Sequence, residues 1–213
     1  MLCILFTCSG CQKKMRKNTE FINSMPWNQV DHLMIVAHPD DETIWGGYHL
    51  QKGKYLVVCL TNKQNETRRK EFESTIKQTN NIGLILDYPD KTNGKRDNWN
   101  TCKKQIYEDI CNIINKKDYK LVVTHNPDGE YGHIHHKMTS EMVTKAMKNK
   151  KNLYYFGHYY KKNKMKKNMI PYPTRGLISK DTLTKNYASQ PKVMKHLHHM
   201  FPYENWIHAN DWR

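Results

Sequence analysis

The stretch "LMIVAHPDDETIWGG", residues 33–47, sets out the first unit of an α/β fold. Its opening run, LMIVA, is continuously apolar, which is typical of a strand buried on both faces of a parallel sheet. Thr43–Gln51 is predicted to form a short helix. Between them, one imidazole and three carboxylates occupy positions 38–42. The like charges repel one another unless a positive group lies among them, so the rest of the chain must supply one.

Four further apolar runs have the same strand character, and they are YLVVCLT (55–61), LILDY (84–88), KLVVT (120–124) and LYYFG (153–157). Helical spacing with charged outer faces marks the segments 67–82, 101–116 and 133–149. This alternation predicts a doubly wound α/β fold, a Rossmann-like three-layer sandwich with a mostly parallel sheet. KKNKMKKN (161–168) is predicted to be a polar loop or a frayed helix end. "PYP" (171–173) then excludes a helix and begins an irregular C-terminal region.

A second group of histidines and acids follows another of these strands, in "LVVTHNPDGEYGHIHH", residues 121–136. The carboxyl ends of parallel strands meet at one edge of a sheet, so both groups are expected to emerge together there. Imidazole and carboxylate ligands that leave one position open suit a catalytic zinc ion. A divalent cation would also allow the acids at 40–42 to stay ionised.

These motifs resemble the PIG-L/LmbE family of zinc-dependent de-N-acetylases, which remove the acetyl group from N-acetylglucosamine-type sugars. The resemblance covers roughly residues 32–140 and is carried by "AHPDDE" and "GEYGHxxH". "LTNKQNETRRKEF" resembles the family's T-[DN]-G…R-x-x-E segment, with Arg68 and Glu71 in the matching places and Lys63 where glycine is usual. "GHIHH" stands in place of G-H-P-D-H, which makes His135 an added histidine.

The resemblance implies a role for each matching residue. One zinc ion per chain, or another divalent metal, would be held by three ligands, namely His38, Asp41 and His136. Asp40 would be the general base, His133 as an imidazolium would stabilise the oxyanion, and Glu42 would support the helix start.

Alternatives remain for three of these roles. The neighbouring carboxylates Asp40 and Asp41 can exchange theirs, and His135 competes with His133. Arg68 is expected to contact the substrate, against the alternative of an ion pair with Glu71 or Glu66.

The balance of 35 Lys and Arg residues against 20 Asp and Glu residues gives a net charge of +15, densest between Lys145 and Lys167. This charge favours anionic partners. The expected substrate is an N-acetylated sugar, either neutral or part of an acidic glycan or glycolipid, and contact with a membrane surface is compatible with the charge. Nucleic acid is not favoured, because no nucleic-acid-binding module is recognisable. The oligomeric state is not indicated.

The sequence leaves two alternative functions open. One is a basic glycan- or nucleic-acid-binding module that keeps the fold without turnover, and the other is a metal-dependent amidase acting on a non-sugar amide. The retention of Asp40 together with all three expected metal ligands favours an enzyme.

The sequence predicts an N-terminal leader or disordered segment over residues 1–25 and a single de-N-acetylase domain over 26–213. "SGC" at 9–11 resembles a bacterial lipoprotein cleavage site, although the apolar run before it is short and no basic residue precedes it. We therefore expect a cytoplasmic protein, or a membrane-attached one if the segment ending at Cys11 is a truncated signal. The six cysteines do not form the pattern of a secreted disulfide framework.

Overall fold

The structure is a computed structural model that describes residues 18–213. Six strands form the main sheet, and they are β1 (His32–Val36), β2 (Tyr55–Thr61), β3 (Ile82–Tyr88), β6 (Leu121–Thr124), β7 (Leu153–Tyr155) and β8 (Ile207–His208). Their order is β3-β2-β1-β6-β7-β8, and every pair is parallel except β7 with β8. A separate hairpin consists of β4 (Lys91–Thr92) and β5 (Lys95–Arg96). The predicted α/β fold with a mostly parallel sheet is confirmed.

The α-helices that follow β1 are α1 (Asp41–Gly46), α2 (Glu66–Gln78), α3 (Lys103–Ile114), α4 (Ile134–Ala146), α5 (Lys180–Leu183) and α6 (Pro191–Leu197). The predicted helix Thr43–Gln51 is two pieces, because α1 ends at Gly46 and a 3₁₀ turn follows at His49–Gln51. The helix predicted over 67–82 ends at Gln78, since Asn80 has a φ of +55° and β3 begins at Ile82. Within residues 18–213, no helix is both long and apolar enough to cross a bilayer.

Side chains alternate between the two faces of the sheet, and both faces are covered by helices. Leu33 and Ile35 of β1 pack in one buried cluster with residues of α3 and α4, and Met34 and Val36 pack in another with residues of α1 and α2. This three-layer arrangement explains why the central strands are apolar at every position rather than at alternate ones.

The folded domain begins earlier than the sequence predicted. Residues 18–23 are helical, Ile22 is fully buried, and Asn18 donates a hydrogen bond to Asp109 at 3.0 Å. Residues 18–25 therefore belong to the folded domain and not to a leader that ends at residue 25. The lipoprotein-like site at Cys11 lies outside the described residues.

A buried ion pair fixes the C-terminal region against α1. The Lys180 ammonium group donates to the carbonyl oxygen of Ile44 at 2.6 Å and lies 2.7 Å from Glu204. Glu204 also accepts hydrogen bonds from the backbone N–H groups of Tyr48 and His49. The region predicted to be irregular is thus held in place by polar contacts that the sequence pattern does not show.

We expect Lys180→Met to lower the free energy of unfolding by about 3–5 kcal/mol, because it leaves the Glu204 carboxylate buried without its cation. Urea denaturation followed by circular dichroism measures the change. Lys185→Met removes an exposed lysine from the neighbouring turn and serves as the control, with an expected change within about 0.5 kcal/mol. Equal stability of the two variants would contradict an anchoring role for Lys180.

Candidate active site

The site lies at the carboxyl ends of β1 and β6, where the order of strands in the sheet reverses. Along the chain the sheet grows from β1 to β2 and β3 on one side, and from β6 onward on the other. Ligand sites of doubly wound sheets form at such a point. His38 and Asp41 follow β1, His125 follows β6, and His136 lies in the first turn of α4.

Asp41 lies between two of the histidines expected to bind metal. Its Oδ2 is 3.3 Å from Nδ1 of His38, and its Oδ1 is 3.2 Å from Nε2 of His136. His136 Nδ1 lies 2.5 Å from Glu130, so this nitrogen carries the proton and donates it to the carboxylate. His136 Nε2 is buried without a hydrogen-bond partner. This nitrogen faces the Asp41 carboxylate, so the contact needs a positive charge, either a proton or a metal ion, between the two atoms.

The tautomer of His38 follows from its contact with His135. Nε2 of His135 lies 2.7 Å from the carbonyl oxygen of Asp97, which can only accept, so this nitrogen carries the proton. His135 Nδ1 then accepts a hydrogen bond from Nε2 of His38 at 3.0 Å. His38 is left with a lone pair on Nδ1, also directed at Asp41. Two ring nitrogens that face one carboxylate require a positive charge between them.

The arrangement fits a divalent metal ion. Ligands of a tetrahedral zinc ion lie about 3.3–3.6 Å apart, since each is about 2.0–2.2 Å from the metal. His125 also lies near Asp41, but its Nε2 already accepts a hydrogen bond from the backbone N–H of Ala37, and its Nδ1 contacts Glu130. Three groups of described side chains lie close enough together to hold an ion: His38 with His133 and His136, Asp41 with His125 and His136, and His38 with Asp90 and His135. The predicted ligands His38, Asp41 and His136 are divided between the first two groups.

The electrostatics of the site show the same need for a cation. Burial lowers the pKa of His136, but the Asp41 and Glu130 carboxylates outweigh burial and raise it to about 10. Burial raises the pKa of Asp41, and the neighbouring His136 and His125 bring it well below its usual value. In the absence of a metal, His136 carries a second proton, and its positive charge balances the negative charge of the Asp41 carboxylate.

Asp40 contacts an arginine and not these histidines. Its carboxylate lies 3.2 Å from the Arg68 guanidinium, and its backbone has a φ of +116°, a strained value for a residue with a side chain. Burial raises the pKa of Asp40 to about 8, with Arg68 acting against that shift. Glu42 accepts a hydrogen bond from the Asp40 N–H at 3.1 Å and from the Tyr187 hydroxyl, and so holds the start of α1.

Arg68 is buried and has several protein partners. It donates to Glu71 at 3.0 Å and to the carbonyl oxygen of Pro39, in addition to its contact with Asp40. Of the two ion pairs open at the sequence level, the structure forms the one with Glu71, whereas Glu66 pairs with Lys70 at 2.7 Å. Arg68 also lines the active-site cavity, and its contact with substrate remains a prediction.

The structure separates His133 from His135. His133 lines the cavity, whereas His135 is fully buried and stacks on Trp99 with ring centroids 4.0 Å apart. Burial, His136 and His38 lower the pKa of His133 to about 2, so its ring is neutral and not the imidazolium expected from the sequence. Its Nδ1 accepts a hydrogen bond from the His135 N–H, which leaves the proton on Nε2 as a donor.

Sequence reasoning missed the contribution of the β4–β5 hairpin. Asp90 and Arg96 line the cavity of about 520 Å³ and lie 3.3 and 3.4 Å from Nε2 of His38. Asn93-Gly94, with φ values of +52° and +75°, is a typical hairpin turn that could have revealed it. The residues on either side of this turn, Lys91–Thr92 and Lys95–Arg96, are polar, so they lack the apolar pattern by which strands are predicted. Glu130 and His125 stood in the quoted motif but were given no role.

Comparison with known proteins identifies the family. The family model described as PIG-L, GlcNAc-PI de-N-acetylase, matches residues 33–147, more than half of the chain. The chain therefore belongs to the PIG-L family. "Uncharacterized protein L374" of Acanthamoeba polyphaga mimivirus is 33% identical over 200 residues, which cover 86% of this chain and 82% of that protein.

A solved structure shows the same fold. The N,N'-diacetylchitobiose deacetylase from Pyrococcus horikoshii aligns with a TM-score of 0.50 and 15% identity, covering 91% of this chain and 79% of that one. At this level of identity the likeness concerns the fold. The family description supports a deacetylase of the hydrolase class.

Proposed function

We propose that this protein hydrolyses the acetamide of an N-acetylated sugar of the N-acetylglucosamine type, with a divalent metal as cofactor and zinc as the expected ion. The observation that carries the proposal is the close approach of Nδ1 of His38 and Nε2 of His136 to the two oxygens of the Asp41 carboxylate, at 3.3 and 3.2 Å, beside Asp40. The products would be acetate and a free amine.

His38, Asp41 and His136 would hold the metal. A bound divalent cation would polarise the acetamide carbonyl and lower the pKa of the attacking water. Glu130 fixes the orientation of His136 through Nδ1, and His135 does the same for His38 through Nε2.

Asp40 would accept the proton of the attacking water and later return it to the leaving amine. Its contact with Arg68 fixes the carboxylate in the cavity that His38 and Asp41 also line. As the carbonyl becomes tetrahedral, the neutral His133 would donate a hydrogen bond from Nε2 to the oxyanion. This assignment needs no imidazolium, since the neutral tautomer already carries the required donor.

A mass-spectrometric screen tests the proposal. Purified protein is incubated with neutral and acidic N-acetylated sugars and with N-acetylated non-sugar amines, with and without added zinc. We expect the loss of one acetyl group (about 42 Da) from at least one sugar, dependent on metal. Turnover of non-sugar amides alone would instead establish the amidase, and sugar binding without acetate release would establish a binding module.

A further inference from the structure

A second, larger cavity opens beside the active site. This groove has a volume of about 1150 Å³, above the 300–1,000 Å³ typical of a site for one small ligand. Its lining includes four lysines, Lys161, Lys162, Lys192 and Lys195. All four side chains are exposed.

The groove and the active-site cavity share walls. Tyr131 lines both of them, and its ring lies 5.6 Å from that of His136 and 5.9 Å from that of Tyr159 in the groove. Helix α6 contributes to both as well, with Val193 on the side of the active site and Lys192 and Lys195 on the side of the groove. A chain molecule whose end occupies the active site can therefore continue into the groove past Tyr131.

The groove carries an excess of positive charge that the protein itself does not neutralise. Within residues 18–213, none of the four lysine ammonium groups forms an ion pair. The acidic residue in the lining is Asp181, and its carboxylate is already in contact with His198 at 2.8 Å. Unpaired cations along an open groove favour a ligand with several negative charges.

We propose that the groove binds the anionic part of a glycan chain whose N-acetylated sugar occupies the active site, with carboxylate, sulfate or phosphate groups placed against the four lysines. The tyrosines at the junction offer aromatic faces to the sugar rings. The proposal rests on the proposed function, because the continuity with a site for amide hydrolysis is what favours a glycan over a nucleic acid.

A matched pair of oligosaccharides tests it. Hyaluronan hexasaccharide and chitohexaose both contain N-acetylglucosamine, but the first carries carboxylates and the second is neutral. Binding of fluorescein-labelled forms is measured with metal-loaded Asp40→Asn protein, so that turnover does not alter the ligand. We expect tighter binding of hyaluronan, falling steeply between 0.05 and 0.5 M salt as the screening length falls from roughly 14 to 4 Å. Chitohexaose should change little.

Charge reversal locates the contact. Lys192→Glu with Lys195→Glu should weaken hyaluronan binding by about 3- to 30-fold, since each exposed charge contact that is lost changes affinity by a few-fold. The control pair, Lys77→Glu with Lys150→Glu, changes the net charge equally. Both control residues are exposed and lie near the amino ends of strands, at the opposite edge of the sheet. We expect this control pair to bind hyaluronan almost as the parent does.

The outcomes separate this proposal from the proposed function. Equal binding of the two oligosaccharides, or equal weakening by both double variants, would overturn the groove assignment even if chitohexaose is deacetylated. Displacement of hyaluronan by a single-stranded dT12 oligonucleotide at lower concentration than unlabelled hyaluronan would overturn the choice of a glycan. If the protein binds hyaluronan through the groove but releases no acetate, the proposed hydrolase function is wrong and the groove assignment is retained.

Discussion

Replacement of Asp40 by asparagine is expected to lower kcat by about 10²- to 10⁴-fold while the metal stays bound. The amide keeps an oxygen that can accept the hydrogen bond from Arg68, at the position where the carboxylate now lies 3.2 Å from the guanidinium. It cannot accept the proton of the attacking water. The loss therefore falls on the chemical step and leaves KM within a few-fold of its value.

Comparison with Asp41→Asn shows which of the two neighbouring carboxylates binds the metal and which acts as the base. Asp41 faces His38 and His136 with both oxygens, so its replacement removes charge from between the expected metal ligands. We expect the metal content to fall together with activity, whereas Asp40→Asn should lose activity alone. Metal analysis by mass spectrometry and steady-state kinetics on a sugar that the screen finds to be turned over distinguish the two.

An exposed carboxylate in the loop after β6, Asp128, provides the control for this pair. Asp128→Asn should retain both metal and activity. If Asp40→Asn lost the metal and Asp41→Asn kept it, the roles of the two neighbouring carboxylates would have to be exchanged.

The meeting of the two motifs was predictable from the sequence because it depends only on parallel pairing. β1 and β6 lie side by side with His32 opposite Leu121, so the residues that follow Val36 and Thr124 emerge at one edge. Continuous apolar runs identified these strands, and the pairing then placed His38 near His125 and α4. Asp40 and Asp41 have different partners, an arginine and the histidines, and the positive φ of Asp40 that accompanies this difference is encoded by no sequence pattern.

The structural features that the sequence did not predict are those that depend on contacts between residues far apart in the chain. Trp99 is fully buried against His135 although it lies in a polar stretch after the hairpin, and its ring N–H donates to the carbonyl oxygen of Pro89 at 2.7 Å. Tyr187 reaches Glu42 from a segment 145 residues away. Contacts between residues far apart in the chain leave no repeating pattern in the sequence. For this reason the sequence did not predict the neutral form of His133 or the burial of His135.

Replacement of His136 by alanine is expected to weaken divalent-metal binding by more than about 100-fold. A change in a residue that only orients a metal ligand typically costs 10- to 100-fold, and His136 is itself an expected ligand. The reason is local, since His136 Nε2 is buried without a hydrogen-bond partner, and Glu130 fixes the ring so that this nitrogen faces Asp41. Wild-type protein should retain about one metal ion per chain after dialysis, and the variant should retain almost none.

Thermal unfolding gives a readout independent of activity. A ligand present at 100 times its dissociation constant stabilises the folded state by about 2.7 kcal/mol, so added zinc should raise the Tm of the wild-type protein and leave that of His136→Ala nearly unchanged. His196→Ala, which removes an exposed histidine from α6, should respond to zinc as the wild type does. Circular dichroism checks the fold of His136→Ala, and Asp41→Asn tests the same ligand set if that variant is unfolded. A folded His136→Ala protein that keeps one metal ion per chain and the full rise in Tm would exclude the assigned ligands and move the metal to the possible group that lacks His136, formed by His38, Asp90 and His135.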